Sequence, residues 1–382
     1  MQSPQSSPGS LREYDPTGKT AQQYVSFKLR LASENNGVSY PNRASSAKSL
    51  LRPKFAGGQR QFVSENNDGD WQSHVVARVS PNQRDNNDCP IGMLGFFESI
   101  NSLPAAQRCL NGAVDWLRGR GCQLIVGPIN GDTWHEYRLN VGPWDDPLFL
   151  SEPSNPDFYS ALWSESGFRV RESYHSKIVS QIDTILPVVQ PSLDAAVASG
   201  YQFRAIDLDR FDSELDTIYD LSIVSFANNF LYEPIAQDEF KQLYRSARSI
   251  VDKDLVWFAL DKNDIPVGFL FCIIDYRIAF DAMRGRRNLL SKLNFLLNKR
   301  RASSVNFKSI CVLPDHRQNS VAAALMCKGY QSSVRKGFQQ ANLCLIKDGN
   351  PSTKLDGGHS RIMRRYNLYE FPTQSRLSLP RK

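Results

Sequence analysis

The sequence predicts an α/β protein of two successive modules on one plan, each a mixed, mostly antiparallel sheet flanked by helices. Three observations carry this prediction. The chain has 382 residues, more than one core of ordinary size requires. Each half runs through the same order of hairpin, strand, helix, strand, short helix and final strand, a repeat of plan without repeated residues. In the second half, SICVLPDHRQNSVAAAL (Ser309–Leu325) passes from a β-branched strand through a turn marked by Pro314 into an alanine-rich helix. The first N–H groups of such a helix lack acceptors and attract anions.

Met1 to about Gly18 is rich in Ser, Pro and Gln and is expected to be disordered. Helical periodicity follows at Thr20–Ser33. Gln59–Glu65 and Trp71–Val79 alternate as strands around the Asn66–Gly69 turn cluster, which signals a hairpin. IGMLGFFES (Ile91–Ser99) is a buried strand. Ala105–Arg120 is a helix, with Gly121 placed to end it. Cys122–Gly127 is apolar enough for a strand, and a long loop then leads to a short helix ending near Gly167.

The second half opens with a strand at Tyr201–Ile206 and helices at Arg210–Asn228 and Gln237–Arg248. Leu255–Asp261 turns into Val267–Tyr276. The stretch MRGRRNLLSKLNFLLNKRR (Met283–Arg301) has leucines at helical spacing, seven Lys and Arg, and no acid, so it is a basic amphipathic helix. It packs its leucines on a core with its cations solvated, or else it meets a polyanion: RNA, an acidic carrier protein or the acidic end of CoA. A membrane surface is a further alternative. After the turn at Pro314 come a helix at Asn319–Gly337 and strands at Asn342–Lys347 and Met363–Phe371.

Composition narrows the class. About two fifths of the residues are hydrophobic and about one fifth charged, as in ordinary globular domains, and the net charge is +7. No apolar run reaches the length of a membrane span and the N-terminus carries no signal pattern, so the expected compartment is the cytoplasm and no membrane partner is assigned. Seven scattered cysteines, without CxxC, exclude a zinc site or a disulfide framework, and no metal is expected.

The segment Val312, Pro314, Arg317, Ser320 and Ala322 resembles the acyl-CoA loop of the GNAT superfamily of N-acyltransferases, V-x-P-x-x-R/Q-x-x-G-x-G/A, with serine in place of the first glycine. Serine has a Cβ, so a left-handed conformation there is strained. GFFES (Gly95–Ser99), WLRGRG (Trp116–Gly121), GPIN (Gly127–Asn130) and EPSNPDFY (Glu152–Tyr159) in the first half, with EPIAQDEF (Glu233–Phe240) and VGFLF (Val267–Phe271) in the second, resemble a branch of tandem GNAT proteins. The resemblance implies two GNAT-like modules, 19–186 and 187–382, each with a splayed fourth and fifth strand pair. It also implies a cytoplasmic transferase moving an acyl group, acetyl first, from CoA to the amine of a small molecule. Acyl-CoA is then expected on the second module, at Val312, Arg317, Gln318, Asn319, Ser320, Val321, Ala322 and Asn350. The first module's Ile100–Ala105 turn has neither glycines nor arginine and makes a poor cradle.

Amine acylation needs a deprotonated amine, a polarised thioester and a proton for the leaving sulfur. The candidate acids and bases are His135, His359 and Tyr366; Tyr369 shares the last strand, and His316 lies in the phosphate turn. The loop Gly127–Leu139 offers Asn130, Trp134, Tyr137 and Arg138 for the acceptor, with Arg138 suited to a carboxylate or phosphate. His74 and His175 fall in strand patterns and are expected to be structural. Two rival functions remain: a transferase using aminoacyl-tRNA or a carrier-protein thioester through the basic helix 283–301, and a non-catalytic binding protein with decayed clefts.

Overall fold

A computed structural model describes residues 9–15, 17–35, 50, 58–284, 286 and 288–372. In chain order the elements are β1 (Ser10–Tyr14), α1 (Gly18–Glu34), β2 (Gln59–Glu65), β3 (Trp71–Arg84), β4 (Pro90–Ser99), α2 (Leu103–Arg118), β5 (Ile125–Gly127), β6 (Leu139–Gly142), α3 (Tyr159–Glu165) and β7 (Arg169–Val179). They continue as α4 (Ile182–Ala198), β8 (Gln202–Ala205), α5 (Phe211–Ser225), α6 (Gln237–Tyr244), β9 (Val256–Leu260), β10 (Pro266–Ile274), α7 (Arg277–Ala282) and α8 (Leu289–Asn298). The last are β11 (Ser304–Val312), α9 (Val321–Arg335), β12 (Gln340–Lys347) and β13 (Arg361–Phe371).

The described residues group into two compact units. One takes its residues from Met1–Val141, Pro153–Ser173 and Tyr366–Lys382, the other from Gly142–Glu152 and Tyr174–Arg365. This grouping differs from a division in chain order at residue 187. The end of β13 returns to the first unit, where Tyr369, Glu370 and Phe371 pair antiparallel with Gly127, Val126 and Ile125 of β5. The second half of β7 belongs to the second unit, where Ala341–Leu343 of β12 pair with Val179–Lys177.

In the first unit the strand order is β1-β2-β3-β4-β5-β13. Only β4 and β5 are parallel, and the other pairs run antiparallel. β1 corrects the expectation of disorder to Gly18: Ser10–Tyr14 pair with Glu65–Gln61 of β2, and Arg12 reaches Glu65 at 2.6 Å. The part of that tail at 1–8 lies outside the described residues. α1 starts on a reciprocal capping box of Thr17 and Thr20, which satisfies two otherwise unpaired N–H groups. α2 carries Pro104 in its first turn, where a missing N–H costs nothing, and buries Ala106, Cys109, Leu110, Ala113, Val114 and Leu117 at helical spacing against β2 and β3.

In the second unit the order is β7-β12-β11-β10-β9-β8, with β11 and β12 parallel. α9 lies against β9, β10, β11 and α4, burying Val321, Ala324, Leu325, Cys327 and Tyr330 in the core shared with Ile185, Val189 and Leu193 of α4. α4 carries Pro187 and Pro191 inside the helix, four apart and so on one face. The expected core packing of the basic helix is corrected: the leucines of α8 are exposed, and Ser291 is its buried residue. Cys89 is half-buried, and the other six cysteines are buried thiols, as expected of small apolar side chains.

Candidate functional site

In the first unit the parallel ladder between β4 and β5 holds only at Gly92 with Ile125 and Met93 with Val126. Beyond that point the two backbones cross too closely for side chains. A Cβ on Gly95 would fall 2.0 Å from the Ile129 carbonyl oxygen, and one on Gly127 would fall 2.6 Å from that of Leu94. Ile129 N–H donates to Leu94 at 2.7 Å, and Phe96 N–H donates to Asn130 Oδ1 at 2.5 Å. The glycines of GFFES and GPIN are therefore the residues that let this crossing form.

β4 gains an extra residue at the same place. His74 faces Glu98 and Val76 faces Gly95, so two steps on β3 match three on β4, and Phe96 takes up the bulge at φ 52°. Beyond the bulge the strand delivers Phe97 and Glu98 to a small cleft. Pro128 and Asn130 after β5, Glu136, Tyr137 and Arg138 of the following loop, and Ser154, Asn155 and Tyr159 also line it, with Lys28 arriving from α1.

At the base of this cleft the Lys28 ammonium donates to Glu98 Oε1 at 2.8 Å, with the two side chains 16% and 9% exposed. The Tyr159 hydroxyl donates to Glu98 Oε2 at 3.0 Å and accepts from Ser99 N–H at 2.8 Å. Burial works against the Lys28 charge, but Glu98, Tyr24 and Glu136 outweigh it and hold its pKa well above the usual value. Burial, then the Glu98 charge, pushes the Tyr159 phenol well above its ordinary value, so it remains a donor. Behind the cluster, His74 Nδ1 lies 2.7 Å from Phe96 O and Nε2 lies 3.1 Å from the Gln61 side-chain amide, and its burial lowers its pKa to about 4. This carboxylate, with one cation and one phenol donor, can receive a proton, anchor an ammonium or stabilise developing charge.

The structure brings Asn130, Tyr137 and Arg138 to this cleft. Asn130 donates to Glu136 Oε2 at 3.2 Å, and the Arg138 guanidinium lies 3.8 Å over the Tyr137 ring. Trp134 and His135 are not among its wall residues. His135 Nδ1 meets Asp132 Oδ1 at 2.5 Å, an oxygen that also accepts from Trp134 N–H. Tyr366 is fully buried in the first unit, whereas His359 lies exposed in the second, 3.5 Å from Thr184 Oγ1. Lys28, Glu98 and Tyr159 were not among the candidates. Two of them stand inside quoted motifs, GFFES and EPSNPDFY, while Lys28, 70 positions before Glu98, carries no local signal.

The parallel pair of the second unit behaves differently. β11 and β12 pair from Ser304 with Gln340 to Phe307 with Leu343, then separate. The turn after β11 enters α9 through Ser320, which sits in the left-handed region at φ 59° and ψ 7° without a side-chain cap. The strained conformation asked of serine is therefore adopted. The Arg317 side chain is anchored through Nε to Val312 O at 3.0 Å. Tyr201 OH, 2.8 Å from His316 Nδ1, accepts from Asn319 Nδ2 at 2.9 Å, which ties the turn to the chain just before β8. Gln318 and Asn319 are exposed, Ala322 is half-buried, and Val312 and Val321 are buried. Asn350 caps the single 3-10 turn Pro351–Lys354 by accepting from Ser352 N–H. Beside that turn, His175 joins Asp348 at 2.5 Å and Thr353 Oγ1 at 3.1 Å.

No family model matches the chain. It is 27% identical over 168 residues, 44% of each chain, to the protein named bacterial ceramide synthase of Caulobacter vibrioides. It is 21% identical over 203 residues to Protein YghO of Escherichia coli, covering 53% of this chain and 52% of that one. The chain thus spans about half the length of the curated relatives it matches. Among solved structures, a tandem GNAT protein from the clavulanic acid biosynthesis pathway superposes with a TM-score of 0.52 at 10% identity, over 95% of this chain and 98% of that one. The GCN5-related glucosamine N-acetyltransferase region of a fungal multi-domain β-N-acetylglucosaminidase gives 0.55 at 14% identity, over 96% of this chain and 38% of that one. A probable N-acyltransferase from Enterococcus faecalis gives 0.51 at 7%, over 94% and 72%. Two parallel strand pairs, each joined by a helix, and full-length superposition on a tandem structure make this chain a tandem GNAT-fold protein.

Proposed function

We propose that the protein is an acyl-CoA-dependent N-acyltransferase that forms its amide bond in the cleft beside β4. The Glu98 carboxylate carries this reading, held between Lys28 and Tyr159 just past the β4 bulge. Glu98 receives the proton of the acceptor ammonium, and Lys28 offsets negative charge on the thioester oxygen as the nitrogen attacks. The C–N bond forms, the C–S bond breaks, and the proton shed by the attacking nitrogen passes to the departing thiolate, giving an amide, free CoA and one proton held on Glu98. Asn130, Tyr137 and Arg138 position the acceptor.

The name of the Caulobacter relative suggests the acceptor to try first, a long-chain amino alcohol, with a fatty acyl-CoA beside acetyl-CoA as donor. A second reading places acyl-CoA on the second unit, where the turn exposed at Arg317–Asn319 leads into the N-terminus of α9 and Asn350 stands after β12. Calorimetry with CoA and free-thiol release with an amine panel test both. Glu98→Gln is expected to lower turnover by roughly 100-fold with CoA binding intact, the size of a lost general base. No thiol release with any acyl-CoA, alongside salt-sensitive tRNA binding or transfer from a carrier-protein thioester, would replace this donor. No response to any of them would leave a binding protein.

A further inference from the structure

α8 has two sides of opposite character. At about 100° per residue, Ser291 and Phe295 fall on one side. Ser291 is buried, and the Phe295 ring packs on Phe280 at 5.0 Å and Tyr276 at 5.8 Å. Leu289, Leu290, Leu293, Leu296 and Leu297 lie about half a turn away and are 53% to 83% exposed. A contiguous leucine face on one short helix marks an interaction surface, because scattered apolar residues are ordinary and clustered ones are not.

Its charge identifies the partner. Arg284, Arg286, Lys292, Lys299, Arg300 and Arg301 are exposed around the leucines, and no acidic residue occurs from Met283 to Arg301. The acid just before them, Asp281, is paired with Arg277 at 2.5 Å. An apolar stripe ringed by unopposed cations complements a surface that is negative outside and hydrocarbon beneath. RNA would engage the cations and leave the leucines in water, and a second copy of the chain would bring like charges together. We propose that α8 lies in the interface of an anionic phospholipid bilayer and docks the protein there through Leu289, Leu290, Leu293 and Leu297, with Lys299, Arg300 and Arg301 at the headgroups. Among the described residues no helix is long and apolar enough to cross a membrane, so the contact is peripheral.

The test is co-sedimentation of the full chain with vesicles of phosphatidylcholine alone or mixed with phosphatidylglycerol, without acyl-CoA or amine, so that it stands or falls apart from the acyltransferase reading. Binding is expected to the mixed vesicles and to weaken with salt. Leu293→Glu with Leu297→Glu should reduce it at least tenfold, from lost apolar burial and added negative charge. Arg300→Gln with Arg301→Gln should reduce it roughly 30-fold at low salt. Both pairs face water, so their thermal unfolding should match wild type. The proposal is overturned if the wild type stays in the supernatant with anionic vesicles, or if the leucine pair binds them as well as wild type. It is equally overturned if that pair turns a wild-type dimer into a monomer in ultracentrifugation.

Discussion

Replacing Lys28 by methionine tests the cluster at its centre. The change removes the ammonium 2.8 Å from Glu98 and leaves a carboxylate that is 9% exposed with Tyr159 as its side-chain donor. Breaking a buried ion pair from one side costs about 3–5 kcal/mol, and the surviving phenol bond and partial exposure place this case at about 3 kcal/mol. For a domain of 150–250 residues that is a fall in Tm of about 6–12 °C. Glu98→Gln should cost a similar amount by stranding Lys28. The double variant strands neither charge, so it should lose no more than either single variant, leaving a coupling of at least about 3 kcal/mol in the cycle. The Lys28 pKa is raised on folding, so its contribution is complete below the unfolded lysine value near 10.4 and is lost only as pH rises through the folded one. The deficit of Lys28→Met should therefore be the same at pH 7 and pH 9. Urea midpoints at constant m-value measure all three variants. Single effects that add to within about 0.5 kcal/mol would refute the coupled cluster.

Three further outcomes are expected. Arg317→Ala should weaken CoA binding by roughly tenfold or more, the worth of a charge-assisted bond, and unchanged calorimetric affinity would remove the second unit's turn as the diphosphate site. Ser320→Val should destabilise by about 2 kcal/mol, because a β-branched residue tolerates φ 59° poorly; an unchanged melting temperature would contradict that. His74, lowered to about 4 by burial, keeps its stabilising neutrality above the unfolded value near 6.5 and loses it as pH falls toward 4, by about 3 kcal/mol in all. His74→Gln should flatten that part of a stability-against-pH curve, and parallel curves for the two proteins would show that His74 does not titrate so.

The order of elements was legible because it rests on local patterns: the Asn66–Gly69 turn, the buried run Ile91–Ser99, and the passage from Ser309 into α9. The polar strand Ser10–Tyr14 was not legible, since SLREY gains its structure only by pairing with β2. Two prolines concealed α4, which packing against α9 sustains. Periodicity showed that α8 has a leucine face but not which way it points, because Phe295 and Ser291 face the protein instead. The site was half legible. Asn130, Tyr137 and Arg138 share a loop, whereas Glu98 acquires a partner in Lys28 only once β4 and α1 are folded together.

The pairing of Tyr369–Phe371 with Gly127–Ile125 has a consequence for synthesis. At about 10 residues per second, β5 waits on the order of 20 s for the strand that covers its open edge. Until then a nascent chain carries an apolar ladder with vacant hydrogen-bonding groups, the kind of template that recruits stray strands. A gene cut near residue 187 would make that interval permanent, so the amino-terminal half expressed alone should go to inclusion bodies and gain solubility when a peptide covering 361–372 is supplied with it.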